Sequence, residues 1–262
     1  MNGTTPGFLR IVPRIIVLLA ALSFPAAAEE IQALVKEAEG GNAELQFSLG
    51  VSYRKGEGVP RDDAEAAKWW RKAAEQGHSG ARYNLGILYR KGEGVPQDYA
   101  ESANWFRSAA EQGHAGAQCN LGVAYGKGEG VPQDYQESVK WLRMAAEQGF
   151  AEAQYNLGVA YYNGQGVPKD YAESIRWYRM AAEQGHAGAQ CYLGMYYNDG
   201  QGVPQDYLLA YFWWSLSVTG STGDDYNLCK TYRDTAARQL TPEQLEAARR
   251  MTREWETKHP KK

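Results

Sequence analysis

The feature that most limits what this chain can fold into is a period. The pair Leu-Gly stands at Leu49-Gly50, Leu85-Gly86, Leu121-Gly122, Leu157-Gly158 and Leu193-Gly194, a step of 36 residues each time. Tyr53, Tyr89, Tyr125, Tyr161 and Tyr197 keep the same register, as do Trp69, Trp105, Trp141, Trp177 and Trp213. Self-similarity at this length marks a supersecondary unit that cannot bury its own apolar face and must stack on its neighbours. The 18 Tyr and 8 Trp against 6 Phe supply the apolar area for such a stack and exclude a disordered chain.

Each unit reads as two helices. In the second unit Ala81, Leu85 and Tyr89 lie four apart on one helical face. Gly86 in that helix costs about 1 kcal/mol against Ala, so its recurrence implies close approach to a neighbouring helix. The helix ends at Lys91, and Gly92-Glu93-Gly94-Val95-Pro96 forms a turn. Asp98 then starts the next helix, with Glu101 placed to complete a capping box. The same pair recurs as Asp62 and Glu65, Asp134 and Glu137, Asp170 and Glu173. Trp105, Ala109 and Ala110 are expected on the buried stripe, and Gly113 in a left-handed C-terminal position.

These residues carry a family likeness. Ala81, Leu85-Gly86, Tyr89, Gly92-x-Gly94-Val95-Pro96, Asp98-Tyr99, Trp105 and Ala109-Ala110-Glu111-Gln112-Gly113 resemble the Sel1-like repeat, a relative of the tetratricopeptide repeat. The likeness runs from Ala43 to Gly220. It implies an all-α, right-handed superhelical solenoid of helix pairs, used as an adaptor in signalling, envelope assembly or quality control.

The ends are read as caps. Five repeats span 42–220, and residues 29–41 form a half-repeat cap with Ile31 to Glu39 as a lone second helix. In the last repeat the polar Glu173 and Arg176 become Leu209 and Phe212, so that helix needs a cover. Capping helices over 221–258 supply it. The first of them has an apolar face of Tyr226, Leu228, Tyr232, Ala236 and Leu240, and the second opens at Thr241-Pro242-Glu243-Gln244. Residues 259–262 are expected to fray.

Residues 1–28 read as an export leader, with Arg10 and Arg14, an apolar run from Ile15 to Leu22, and cleavage after Ala28. Its loss removes two arginines and no acid, leaving 26 basic against 31 acidic side chains. A net acidic protein without a basic patch is not built for nucleic acid, and no membrane insertion is expected after cleavage. A monomeric periplasmic protein is the first expectation, a secreted one the second. Cys119 and Cys191 share one repeat position two units apart, roughly 20 Å, so they cannot bridge. Cys229 reaches Cys191 only if the C-terminal cap folds back on the last repeat, and that demanding geometry weighs against the bond.

No catalytic constellation, cofactor or metal site is read from the chain. Ser52-Tyr53-Arg54-Lys55 spells S-x-x-K without its companion motifs. His78, His114 and His186 occupy one repeat position, with Phe150 there in the third unit, and are read as helix caps rather than zinc ligands. The expected function is a polypeptide-binding adaptor of the bacterial envelope, with a cell-wall or β-lactam hydrolase as the alternative. Its partner is another envelope or periplasmic protein, lying in a concave groove lined by the first helix of each repeat. The residues expected there are Phe47, Val51, Arg54, Lys55, Tyr83, Ile87, Arg90 and Lys91, then Val123, Lys127, Tyr155, Val159, Tyr162, Tyr192, Met195 and Tyr196. The first half of this list carries a basic rim, and the second is rich in tyrosine.

Overall fold

The computed structural model describes residues 34–220 and 222–259, and every element among them is helical. The leader, the start of the N-terminal cap and residues 260–262 lie outside the described residues. After a helical stretch over 34–39 (α1), five helix pairs follow: α2 Ala43–Lys55 and α3 Asp63–Glu75, α4 Ser79–Lys91 and α5 Tyr99–Ala110, α6 Ala115–Lys127 and α7 Tyr135–Glu147, α8 Ala151–Asn163 and α9 Tyr171–Glu183, α10 Ala187–Asp199 and α11 Tyr207–Gly220. Two further helices, α12 Gly223–Ala237 and α13 Pro242–Lys258, close the chain. The contacts divide it into two compact units. The first runs through Ala117 and includes Glu129–Pro132, and the second holds Gln118–Gly128 and everything from Gln133 onward.

Local chemistry sets the helix ends. Asp62, Asp98, Asp134 and Asp170 each accept two backbone N–H groups at the start of a second helix. Such a cap contributes about 1 kcal/mol. The glutamates expected to reach back turn outward instead. Glu65 takes Lys68, Glu137 takes Lys140 at 3.0 Å, and Glu173 takes Arg176 at 3.4 Å. The reciprocal capping box is formed by Thr241 and Gln244 at the start of α13.

The two helices of a pair run antiparallel. Gln76 at the end of α3 bonds Gln46 near the start of α2, while Asp62 N–H donates to the Tyr53 carbonyl at the other end. Between these points the Leu-Gly glycine meets a large side chain. A Cβ on Gly86 would stand 2.5 Å from the Phe106 ring, and one on Gly158 2.7 Å from Tyr178. Trp70, Leu142 and Trp214 crowd Gly50, Gly122 and Gly194 in the same way. The expected close approach to a neighbouring helix is therefore made by a large side chain of that helix lying on the glycine backbone. It also moves the core by one residue from the tryptophan register. Phe106 and Tyr178 are fully buried, while Trp105 and Trp141 are only half-buried. Trp69, Trp177 and Trp213 remain buried.

The Gly-x-Gly turn does two jobs. Gly92 ends α4 in the left-handed region at φ 70°. Gly94 seats the loop on the preceding repeat, where a Cβ would stand 2.2 Å from the Asp63 backbone carbon. Gly166 does the same against the Tyr135 carbonyl at 2.1 Å. No side chain fits in such a contact, because the facing atoms are backbone and cannot rotate away.

The last pair is covered. In α11 every residue from Ala210 to Val218 is buried. Trp214 donates its indole N–H to the Cys191 carbonyl at 3.1 Å and packs on Tyr232 of α12. The fold-back that the sequence weighed against does occur. Cys191 and Cys229 form a disulfide with Cα atoms 6.2 Å apart, and the buried Cys119 takes no part in it. The face of α12 differs from expectation in one residue: Leu228 is 48% exposed, and Cys229 takes the buried place.

Candidate functional site

The first-helix side chains chosen as a groove floor have a second use. Phe47 stacks on His78 at 4.4 Å, Tyr83 on His114 at 4.6 Å and Tyr155 on His186 at 4.5 Å. Each imidazole stands just before the next repeat, and its Nδ1 accepts a backbone N–H to cap the first helix of that repeat. Their role as caps is thus seen directly. His78 and His186 also pair through Nε2 with Glu44 at 3.1 Å and Glu152 at 3.0 Å. His186 holds the Glu152 carboxyl below its ordinary value. The matching position before His114 is Gly80, and burial pushes the His114 pKa down. Phe47, Tyr83 and Tyr155 are half-buried joints between repeats as well as surface.

In the first unit the basic rim is largely engaged. Arg54 forms an ion pair with Asp63 at 2.7 Å and a second with Glu93 from the following turn. Arg61 binds Asp63 from the other side at 2.9 Å. The Arg61 hydrogen bond first, then Arg54, hold the Asp63 carboxyl below its ordinary value against burial. Arg90 lies over the Phe106 ring at 6.0 Å. Lys55 and Lys91 are exposed, 3.5 Å from Glu57 and 4.0 Å from Glu93. Val51 and Ile87 are half-buried beside them.

The second unit is different. Tyr162 meets Tyr192 edge-on at 5.8 Å, Tyr155 lies 6.0 Å from Tyr192, and Tyr192 stacks on the buried Tyr178 at 4.8 Å. Lys169 lies 5.6 Å over Tyr162 and 4.7 Å over Tyr171. Tyr162 and Tyr192 keep part of each ring in solvent. Tyr196 does not, being 3% exposed, so it is core rather than contact surface. Its hydroxyl donates to Ser174, which donates to the Gly158 carbonyl, and burial pushes its pKa up to about 12. Val123, Lys127 and Val159 line a recess of about 270 Å³. Met195 is half-buried and packs on the cluster formed with the C-terminal cap.

The S-x-x-K string builds no catalytic pair. Ser52 and Lys55 share the last turns of α2, where the Ser52 carbonyl accepts the Gly56 N–H and Lys55 turns to Glu57. Among the described residues no cluster of His, Cys, Asp or Glu is placed to hold a metal ion. No described helix is long and apolar enough to cross a membrane.

Two columns escaped the sequence reading. One is the ring column Trp70, Phe106, Tyr178 and Trp214, one residue beyond the tryptophans. The other is a buried glutamine column, Gln46, Gln118, Gln154 and Gln190, each 3% exposed or less. Its signal was Ala-x-Ala-Gln before Gln118, Gln154 and Gln190, with Leu45 replacing the second Ala before Gln46, a polar residue held on an apolar face.

The Sel1 repeat profile matches residues 43–78, 79–114, 115–150, 151–186 and 187–219 in succession. The chain belongs to the Sel1 repeat family. The first four matched Sel1 units end on the residue that precedes the next first helix, His78, His114, Phe150 or His186. This Sel1 repeat protein is similar in structure to a Sel1 repeat protein from Oxalobacter formigenes, with a TM-score of 0.72 and 30% identity, covering 86% of this chain and 96% of the other. It is also similar to a protective antigen of uropathogenic Escherichia coli that displays an SLR fold, with a TM-score of 0.69 and 39% identity over 81% of this chain. It spans 49% of that antigen's length. Comparison with curated proteins gives no match.

Proposed function

We propose that this Sel1 repeat protein is an exported scaffold that binds a polypeptide, with the tyrosine face of its second unit as the contact surface. The observation that carries the reading is the edge-on Tyr162–Tyr192 pair, each ring partly in solvent, with Val159 of the same helix as Tyr162 lining a recess. Tyrosine gives large, rigid apolar area with a polar tip, the residue type enriched where binding energy concentrates. Sel1 repeats commonly serve protein–protein contacts, and the absence of a nucleophile–base pair around Ser52 gives the hydrolase reading no support in the geometry. Export is supported by the leader pattern and by the disulfide, a bond that persists in oxidising compartments.

The test is affinity capture from an envelope extract by the mature chain and by a Tyr162→Ala, Tyr192→Ala variant. A polypeptide held by the first should bind the second about a hundredfold more weakly, the scale of losing a central aromatic contact. Equal retention by a folded variant would remove this face from the account. Cell fractionation with thiol trapping checks the location: the Cys191–Cys229 pair should be found oxidised and outside the cytoplasm.

A further inference from the structure

The fifth repeat leaves open a side-chain relay that other repeats close. Gln46, Gln118 and Gln154 each receive at Oε1 a hydrogen bond from the glutamine that ends the second helix of the same repeat. The donors are Gln76 at 2.7 Å, Gln148 at 2.7 Å and Gln184 at 2.8 Å. Gln190 is the fifth-repeat member of this column. Its Nε2 donates to the Ala182 carbonyl at 3.1 Å, as Gln154 does to Ala146. The residue that would supply its second partner is Gly220. Gln190 is 2% exposed, and among the described residues nothing donates to its Oε1. Wholly buried atoms without a partner do not include this oxygen, so it opens onto the space beside it, where a donor from outside can meet it.

What lies beside it is a recess of about 1020 Å³, lined by Gln190 itself, by Glu183 and Glu256, and by Trp255 of α13. The lining holds two carboxylates and neither lysine nor arginine. Trp255 and His259, stacked at 4.2 Å, together form an aromatic wall of the recess. Carboxylates, an amide oxygen without a donor and a ring face together call for a flat cation rich in N–H groups.

We propose that this recess binds the guanidinium of an arginine side chain presented by a polypeptide. The chain itself shows that the glutamine column takes a guanidinium. Arg82 stands in that column in the second repeat, where its Nε donates to the Ala74 carbonyl at 3.0 Å and its Nη1 to the Ser108 carbonyl at 3.4 Å. Arginine fits better than lysine because its planar fork can donate to Gln190 and to a carboxylate at once, while its face lies on Trp255. The inference rests on the polypeptide-binding reading and adds a second contact point, at the end of the array.

The test uses N-acetyl-arginine amide as the probe, so it does not depend on capturing a partner. The full mature chain is labelled with ¹⁵N at tryptophan, and the Trp255 indole signal is assigned with Trp255→Phe. At pH 8 the arginine probe should shift that signal saturably, and the citrulline and lysine analogues should do so at least about tenfold more weakly, on the scale of a lost charge-assisted bond. Glu183→Gln with Glu256→Gln should weaken the arginine response about tenfold. Gly220→Gln restores the donor found in earlier repeats and should abolish the response. A Cβ at Gly220 would stand 3.2 Å from the Ala187 Cβ and 4.0 Å from the Gly185 carbonyl oxygen, so the helix end must give by a few tenths of an ångström, and the variant's fold is checked by its tryptophan spectrum. An unmoved Trp255 signal would overturn the inference. So would an equal response to citrulline or lysine amide, or full binding by the Gly220→Gln protein.

Discussion

The first helices of the two units are built on one template, yet their outward side chains spend their chemistry differently. In the first unit Arg54 is held between Asp63 and Glu93, and Lys55 and Lys91 lie near glutamates of the same turns. In the second unit the position of Arg54 and Arg90 is taken by Tyr162, whose ring meets Tyr192 and keeps part of itself in solvent. Charge on a repeat surface is thus easily consumed by neighbouring turns. Aromatic area gathered in one place is not, because the ring column beneath it is already filled by Tyr178. A surface whose rings pack on the core and still keep part of each ring in solvent is the better candidate for a partner.

That contrast can be attacked in descending order of effect. Replacing Cys229 with Ser opens a bond that closes a 38-residue separation. Chain entropy puts the loss at about 4 kcal/mol, and it should appear in the second unit alone. Hydrogen exchange should show faster opening of α10 to α12 with the helices of the first unit unchanged. An equal response in both units would mean that they unfold as one.

Arg54→Ala sharpens the comparison from the other side. It should cost about 1 kcal/mol in denaturant melts, since the cluster is partly solvated, and leave partner capture unchanged. The same cluster sets an acid response. Asp63 is held below its ordinary value, so its stabilisation is present above about pH 4 and is lost as pH falls through the lowered folded value. Arg61→Ala with Arg54→Ala should flatten that limb of the stability–pH curve.

The smallest effect belongs to His114. Its folded pKa lies below the ordinary value, so the native state binds its proton less readily than the unfolded chain. Stability should therefore fall as pH drops below about 6.5, by less than about 1 kcal/mol for a half-buried ring. His114→Phe copies Phe150 and should remove that slope, as followed by thermal melts between pH 5 and 8.

The repeats and their caps were legible because a period multiplies weak signals: a single Gly86 says little, and five in register dictate a contact. The turn glycines and the histidine caps followed from the same logic. What the period could not reveal was the partner of each residue. Gly86 was rightly expected to meet a neighbouring helix, but not which of its residues: it meets Phe106, because neighbours of a tryptophan look alike in sequence until the helix phase is fixed. Glu65, Glu137 and Glu173 failed as capping-box members for a related reason: a basic residue three positions on takes the carboxylate, whereas Glu101 has Asn104 there and nothing explains its failure. Arg54 seemed available as a rim charge because Glu93 is 39 positions away. Tyr196 seemed exposed because its burial depends on Ser174 in another repeat. The Cys191–Cys229 bond lay beyond the period altogether, since the cap that delivers Cys229 is not a repeat.

The central claim is that a polypeptide lies on the tyrosine face of the second unit. Nitration of surface tyrosines in the free and the partner-loaded protein, read residue by residue by mass spectrometry, tests it most directly. The account predicts that Tyr162 and Tyr192 become protected while acetylation of Lys55 and Lys91 in the first unit is unchanged. Protection of those lysines with both tyrosines still reactive would contradict it.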